Sequence, residues 1–383
     1  METELKQGTL TIHFRGEINS SNAPDIENEV MDSLKEKEFS SLVFDFQDLS
    51  YISSAGLRVV LKVRQRYPSL SIINTSLSVY EIFEMTGFTS MMSVRKALKE
   101  VDISHAELIG EGYFSYVYRL DKDTIIKVCK RAVDISEVER ELNKAKRAFV
   151  LGIPTAISFD IVKVGELFGV RFELLDCASL RDLVRDHPDD LEFYVDRYAK
   201  LVKGIGDTET EIEGLPSVKE EFLEKLEAVR GALSPDQYQK AHEFFLSIPE
   251  RNTFVHGDCH VKNIMVRDDE FFLIDMDTLS YGHPMFEYAL IYAPYIAFEE
   301  DDPGNCERFL GLSTETCRRL YDGVVSYGLG KEDSPLRRDQ IKILSYVHMM
   351  WWNQANEPEN TKRFEGCKGR LLALLDAHKE LKF

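Results

Sequence analysis

Apolar and polar positions change rhythm along this chain near residue 100. Before that point, "TLTIHFRG" and "SLVFDFQ" are rich in β-branched and aromatic residues and predict two strands. Between them, "APDIENEVMDSLKEK" places Ile26, Val30 and Leu34 at helical spacing. A second helix is predicted in "SAGLRVVLKVRQRYP", with Leu57, Val60, Leu61 and Val63 apolar, then a strand in "LSIIN" and a short helix in "SVYEIFEMTGF". Strands alternating with helices predict a small α/β domain over residues 1–100.

From about Val101 the pattern differs. "AELIGEGYFSYVYRLDKDTIIKVCK" reads as three strands joined by tight turns, an antiparallel unit, and from Ser179 onward the spacing is mostly helical. The expected second domain covers 101–383, with a sheet-rich part over about 101–178 and a helical part over about 179–383. Acidic stretches such as "GDTETEIEGLPSVKEE" are expected to be surface connections. In "LSPDQYQKAHEFF", Ser234 before Pro235 is the cap and first-turn pairing of a new helix.

Composition narrows the class. At 44% hydrophobic residues the 383-residue chain has ample core material, and no apolar run approaches the about 18 residues of a membrane span. The opening "METELKQGTL" has no basic segment leading into an apolar one, so no signal peptide is expected. Six scattered cysteines without a C-x-x-C pair fit a reducing cytoplasm better than a disulfide framework or a zinc site. A formal net charge of −19 argues against nucleic acid as a partner. It would suit a cationic substrate, but acidity alone also reflects solubility, and "FEEDD" at 298–302 is too short to define a polycation site.

Four pieces of the second region carry candidate chemistry. In "GEGYFSYVY", Gly110 and Gly112 would let backbone approach a phosphate, with Ser115 standing where a third glycine is often found. Lys127, centred in the apolar "TIIKVCK", follows that loop as the lysine holding the α/β-phosphates does in kinases. Its partner should be a glutamate of "SEVERELNKAKRAF"; Glu141, sharing a face with Val138 and Ala145, is preferred over Glu137 and Glu139. In "HGDCHVKN", Asp258 and Asn263 have the D-x-x-x-x-N spacing of a kinase catalytic loop. Asp258 would act as base towards an acceptor hydroxyl, and Asn263 as a metal ligand. In "FFLIDMDT", Asp275 closes an apolar strand where an acid is costly unless compensated; it is the expected principal Mg²⁺ ligand, with Asp277 secondary.

On these residues the region from about 105 to 300 resembles the aminoglycoside phosphotransferase and choline-kinase-like enzymes. The loop H-G-D-x-H-x-x-N is matched by His256, Gly257, Asp258, His260 and Asn263, and the metal segment by Ile274, Asp275 and Asp277. "GHP" at 282–284 resembles the G-D-P that usually follows, with His283 a departure. The resemblance implies an α+β two-lobed protein-kinase-like fold, ATP (or GTP) with Mg²⁺, and adenine held by backbone near "ELLDCASL". The acceptor would be a hydroxyl on a small molecule.

The first hundred residues resemble the STAS domains of anti-sigma-factor antagonists through "LVFDFQDLSYISSAGLRVVL". That resemblance implies a serine switched by phosphorylation, Ser54, with Ser53 where an Asp often stands, and an anti-sigma-type or other signalling partner. Ser54 would also serve simply as a helix N-cap. The leading expectation is a cytoplasmic phosphotransferase with a regulatory or docking STAS domain. One alternative is a protein kinase acting on a STAS or anti-sigma partner or on itself; another is a nucleotide-binding adaptor without catalysis. The link around "KEVDISHAE" holds no Gly or Pro and offers little reach for transfer within one chain.

Overall fold

The computed structural model describes residues 1–383 except Glu36, Tyr113, Ile212 and Glu213. The chain divides into two compact units, Met1–Val101 and Asp102–Phe383.

In the first unit a five-stranded sheet runs in chain order: Glu2–Lys6, Thr9–Ile18, Ser41–Ile52, Leu70–Thr75 and Val94–Lys96. The first pair is antiparallel and the rest are parallel, with Leu10 opposite Leu42 and Phe44 opposite Ile72. Alternate residues Leu10, Ile12 and Phe14, and Leu42, Phe44 and Phe46, point to one buried face, as a half-covered sheet requires. Helices Ala23–Leu34, Ser54–Arg66 and Leu77–Met85 supply the apolar residues packed in this core, such as Val30, Val60 and Phe83. Two strands carry no apolar signal: Glu2–Lys6 is exposed throughout, and Val94–Lys96 is only three residues long. Main-chain pairing rather than burial defines them.

The helix starting at Ser54 corrects one expectation. Its N-cap is Ser53, whose hydroxyl accepts from the Gly56 N–H at 3.4 Å, while Ser53 N–H donates to Ile18 O at 2.7 Å. Ser54 is therefore the first helical residue and is exposed. It is not the cap.

In the second unit five antiparallel strands lie side by side in the order Ser158–Val164, Leu167–Glu173, Thr124–Cys129, Ser115–Arg119 and Glu107–Glu111. Helix Ile135–Val150 packs on them through Val138 and Leu142 against Val170. After residue 174 the chain is mainly helical, around a core holding Tyr198, Phe222, Phe245, Phe286 and Tyr295. Two small sheets interrupt the helices: Phe254–Val255 with Ser280–Tyr281, and Ala178–Ser179, Ile264–Arg267 and Glu270–Leu273 side by side. This is a kinase-like fold with a sheet-rich lobe and a helical lobe.

Helix Pro235–Ser247 begins with a capping box in which Ser234 and Gln237 exchange hydrogen bonds. The connection over residues 207–217 is less superficial than its polarity predicts. Thr210, Leu215 and Ser217 are buried, because Glu209 and Ser217 make bridges to Thr253 and Tyr281. Ile212 and Glu213 of that connection lie outside the described residues. Among the described residues no helix is long and apolar enough to cross a membrane, and all six cysteines are free.

Gly56 is the tightest glycine in the first unit's core. A Cβ there would stand 2.7 Å from both Ile18 Cγ2 and Ile52 Cγ1. Overpacking of this kind costs typically about 1–3 kcal/mol. Gly56→Ala should accelerate amide hydrogen exchange across helix Ser54–Arg66 and its neighbouring strands, leaving the second unit unchanged; exchange at the wild-type rate would contradict the packing.

Candidate functional site

Lys127 lies mid-strand in Thr124–Cys129, between Ile126 and Val128, which are buried on the other face. Its Nζ donates to Glu141 Oε1 at 2.7 Å, Asp275 Oδ1 at 2.9 Å and Asp277 Oδ2 at 3.1 Å. Of the three candidate glutamates, Glu141 makes the ion pair, because Val138, Leu142 and Ala145 bury that side of its helix. Burial opposes the lysine charge, yet Asp275, Asp277 and Glu141 together hold the ammonium well above its usual range. The carboxylates respond unequally. Burial raises Asp275 but the Lys127 charge outweighs it, so Asp275 stays below the usual range; burial and then the Asp275 charge push Asp277 up to about 8.

The Glu141, Asp275 and Asp277 carboxylates lie within 4.8 Å of one another. Three acids on one ammonium leave negative charge uncompensated, and a hard divalent cation with oxygen ligands would offset it. Asp275 has φ +67°, a left-handed conformation disfavoured for a non-glycine residue, and strain of this kind is found where a side chain must be aimed. The donor set fits Mg²⁺.

The loop "HGDCHVKN" runs from strand Phe254–Val255 to a short turn at Val261–Asn263. His256 is fully buried; Nε2 meets Ile274 O at 3.2 Å, Nδ1 accepts from Asp258 N–H at 3.3 Å, and burial lowers its pKa, keeping it neutral. Gly257 has φ +87°, and a Cβ there would lie 2.9 Å from Thr278 O, so only glycine fits. Asp258, whose side chain is 46% exposed, accepts from Asn263 Nδ2 at 2.9 Å through Oδ2, while His260 Nε2 lies 3.4 Å from Oδ1. With its amide nitrogen committed to Asp258, Asn263 makes no hydrogen bond through Oδ1 among the described residues and keeps that oxygen for a cation.

In the glycine loop, Gly112 N–H donates to Ser115 O at 2.9 Å, and Gly110 sits opposite Val117. A Cβ at either glycine would make only ordinary contacts, so local packing does not demand glycine there. Ser115 is buried at the start of its strand, with no hydrogen bond from its hydroxyl among the described residues. Tyr113 lies outside the described residues. His283, the departure from G-D-P, accepts the Met285 N–H on Nδ1 at 3.1 Å; burial first, then Arg251 and Arg337, push its pKa down to about 4, so the neutral ring does the work of a capping carboxylate.

Sequence reasoning missed the residue that holds the loop. Glu287, buried within helix Met285–Tyr292, accepts the backbone N–H groups of His256 and of Gly257, the latter at 3.1 Å. Tyr198 OH donates to Cys259 O, and Val261 N–H donates to Tyr295 OH at 3.0 Å. One signal was available: a lone acid in "MFEYALIY", a run otherwise free of charge, needs a buried partner. Also unforeseen is a cavity of about 440 Å³ beside Asp258, walled by Phe298, Phe309 and Trp352.

Comparison with known proteins agrees with both halves of the chain. A family model described as "Phosphotransferase enzyme family" matches residues 105–316, and one described as "STAS domain" matches residues 1–101. Over 91 residues the chain is 40% identical to BtrV of Bordetella bronchiseptica, named as an anti-sigma factor antagonist, covering 23% of this chain and 78% of that protein. An anti-sigma-B factor antagonist of Listeria monocytogenes is 28% identical over 101 residues, covering 25% of this chain and 88% of the relative. A thermostable mutant of aminoglycoside phosphotransferase APH(4)-Ia, solved with AMP-PNP and hygromycin B, shares 13% identity at a TM-score of 0.50, covering 72% of this chain and 94% of that one. At that identity the likeness is one of fold.

Glu287 gives this site a measurable pH signature. Burial, outweighing the opposing N–H bonds, pushes its carboxyl up to about 7 in the folded chain, against about 4.3 unfolded. Between those values the folded state binds the extra proton, so the group's contribution to stability is present in acid and lost as pH rises towards 7. Glu287→Gln keeps an acceptor oxygen but cannot ionise. The melting temperature of the variant minus that of the wild type should therefore increase from about pH 5 to about pH 8; a flat difference would contradict a charge buried there.

Proposed function

We propose, from the premise that this chain belongs to the phosphotransferase enzyme family, that it transfers the γ-phosphoryl group of ATP (or GTP) to a hydroxyl of a small-molecule acceptor. The observation that carries the reading is Lys127, shared between Glu141 and Asp275 in the second unit whose loop presents Asp258 beside a cavity. Lys127 would hold the α/β-phosphates, with Glu141 fixing its position, and Gly110, Gly112 and Ser115 would bring the loop against the phosphates. Asn263 and Asp275 would hold Mg²⁺, which when bound neutralises charge on the phosphate oxygens.

Asp258 would orient the acceptor hydroxyl and receive its proton. As the new O–P bond forms, the bond from the γ-phosphorus to the bridging oxygen breaks, and the nucleoside diphosphate leaves. Asn263 donating to Asp258 Oδ2 keeps the carboxylate aimed. A cavity of about 440 Å³ walled by aromatic rings suits a compact molecule, which supports the small-molecule reading over a protein kinase. The intact set Lys127, Asp258, Asn263 and Asp275 argues against a non-catalytic adaptor. Free cysteines throughout support a reducing, cytoplasmic setting.

For the first unit we infer a regulatory or docking role towards an anti-sigma-type or other signalling partner. Ser54 supports it. With Ser53 capping, the Ser54 hydroxyl is exposed at a helix N-terminus, where a phosphate would meet unpaired N–H groups and a favourable dipole.

Asp258→Asn should lower turnover by about a hundredfold or more while AMP-PNP affinity stays within a few-fold, as measured by ADP release and by calorimetry. Turnover near that of the wild type would remove Asp258 from its role. The second expectation concerns Ser54. Purified protein incubated with labelled ATP should show no labelling of Ser54 within one chain; label that appears only with rising protein concentration would indicate transfer between chains. Label on Ser54 at a rate independent of protein concentration would overturn this and favour transfer within one chain.

A further inference from the structure

The cavity beside Asp258 says what kind of acceptor fits, given the phosphotransferase reading on which this inference rests. At about 440 Å³ it falls towards the lower end of the range for small-molecule sites. A polycation would need uncompensated acids around it. The acidic run at 299–302 is spent elsewhere: Glu299 accepts the Gly304 and Cys306 N–H groups and the Thr314 hydroxyl. Glu300 accepts from Tyr292 and Tyr346 and lies in ion-pair range of Arg370, Asp301 pairs with Arg370, and Asp302 pairs with Arg308. These four acids hold the fold together.

What lines the cavity instead is a cation and unpaired ring nitrogens. Arg363, whose side chain is only 7% exposed, lies 4.6 Å over the Phe298 ring and donates through Nη1 to Glu357. Its Nε is buried without a partner, as are Nδ1 of His348 and Nδ1 of His260, and all three residues line this cavity. A buried donor left unpaired costs roughly 1–3 kcal/mol, and Arg363 Nε, which can only donate, is better explained by a ligand with acceptor oxygens than by chance. Burial, then the Lys225 charge, drive His348 well below its ordinary range, so it adds no positive charge.

Glu357 is already matched by Arg363, leaving Asp258 as the cavity's one unmatched acid, and that carboxylate faces the reacting hydroxyl in the reading above. The guanidinium edge formed by Nε and Nη2 makes no hydrogen bond among the described residues, and that edge is the fork that binds a planar pair of oxygens. We propose that the acceptor is a compact hydroxy acid: its carboxylate docks on Arg363, its carbon frame lies against Phe298 and Trp352, and its hydroxyl reaches Asp258. Arg363 is then a specificity-determining residue.

Matched probes test this in the full-length protein with Mg-ATP: glycerate against glycerol, gluconate against glucose, and choline and hygromycin B as cations. ADP release above the no-acceptor baseline is expected for an acid and not for its neutral or cationic counterparts. Arg363→Lys keeps the charge but not the fork, and the double variant Glu357→Gln/Arg363→Met keeps the pair neutral. Each should raise KM for the active acid about tenfold to a hundredfold, the range of a lost charge-assisted hydrogen bond, with kcat within a few-fold. Stimulation by glycerol or glucose equal to that by the acids, stimulation by choline or hygromycin B, or an unchanged KM in both variants would overturn the proposal. So would silence from every probe while Mg-AMP-PNP still raises the melting temperature. Silence together with no nucleotide-dependent shift would instead overturn the phosphotransferase reading itself.

Discussion

The second unit turns on one ammonium group shared by three carboxylates. Lys127 comes from a strand, Glu141 from the helix packed on that strand, and Asp275 and Asp277 from the segment after Glu270–Leu273. Removing such groups from water is expensive, and the cost is offset only when the partners are held at hydrogen-bond distance. Every element that brings them together is therefore constrained: helix Ile135–Val150 must turn Glu141 inward, and Asp275 must take a left-handed backbone. More carboxyls than ammonium groups at one point also make the site suited to a divalent cation.

A second constraint lies under the loop that carries Asp258. A loop that must leave a carboxylate half-exposed cannot be steadied by burying that side chain, so its backbone is held instead. Glu287 takes two N–H groups, Tyr198 and Tyr295 take one group each, and Thr278 Oγ1 donates to His256 O at 2.7 Å. Burial under the loop raises the pKa of that acid, a cost the backbone N–H bonds only partly offset.

The acidity of the chain resolves into unlike parts. The net charge of −19 points towards cationic partners only if the acids are free. The run at 299–302, too short on the sequence alone to define a cation site, is a set of ties to backbone, hydroxyls and arginines. The site acids, by contrast, converge on Lys127 or on Asn263.

Local pattern alone carried much of this protein. Alternation in "TLTIHFRG" and "SLVFDFQ", helical spacing in the segments between them, and the order of glycine loop, lysine, D-x-x-x-x-N and terminal aspartate were legible because each depends on spacing within a short stretch. Short or exposed elements were not legible: Glu2–Lys6 and Val94–Lys96 are strands because a neighbour pairs with them, and no apolar signal marks that. The choice of Glu141 over its neighbours followed from helix periodicity, but the capping serine turned on a single residue of register, and the fold put Ser53 there. Glu287, the Tyr198 and Tyr295 clamps, and the joining of Phe298, Trp352 and Arg363 around one cavity involve residues far apart in the chain. The sequence by itself determined which chemical groups are present and on which kind of element they stand. Only the tertiary structure decided which of the many acids are free to act, because a carboxylate's availability depends on what the fold packs against it.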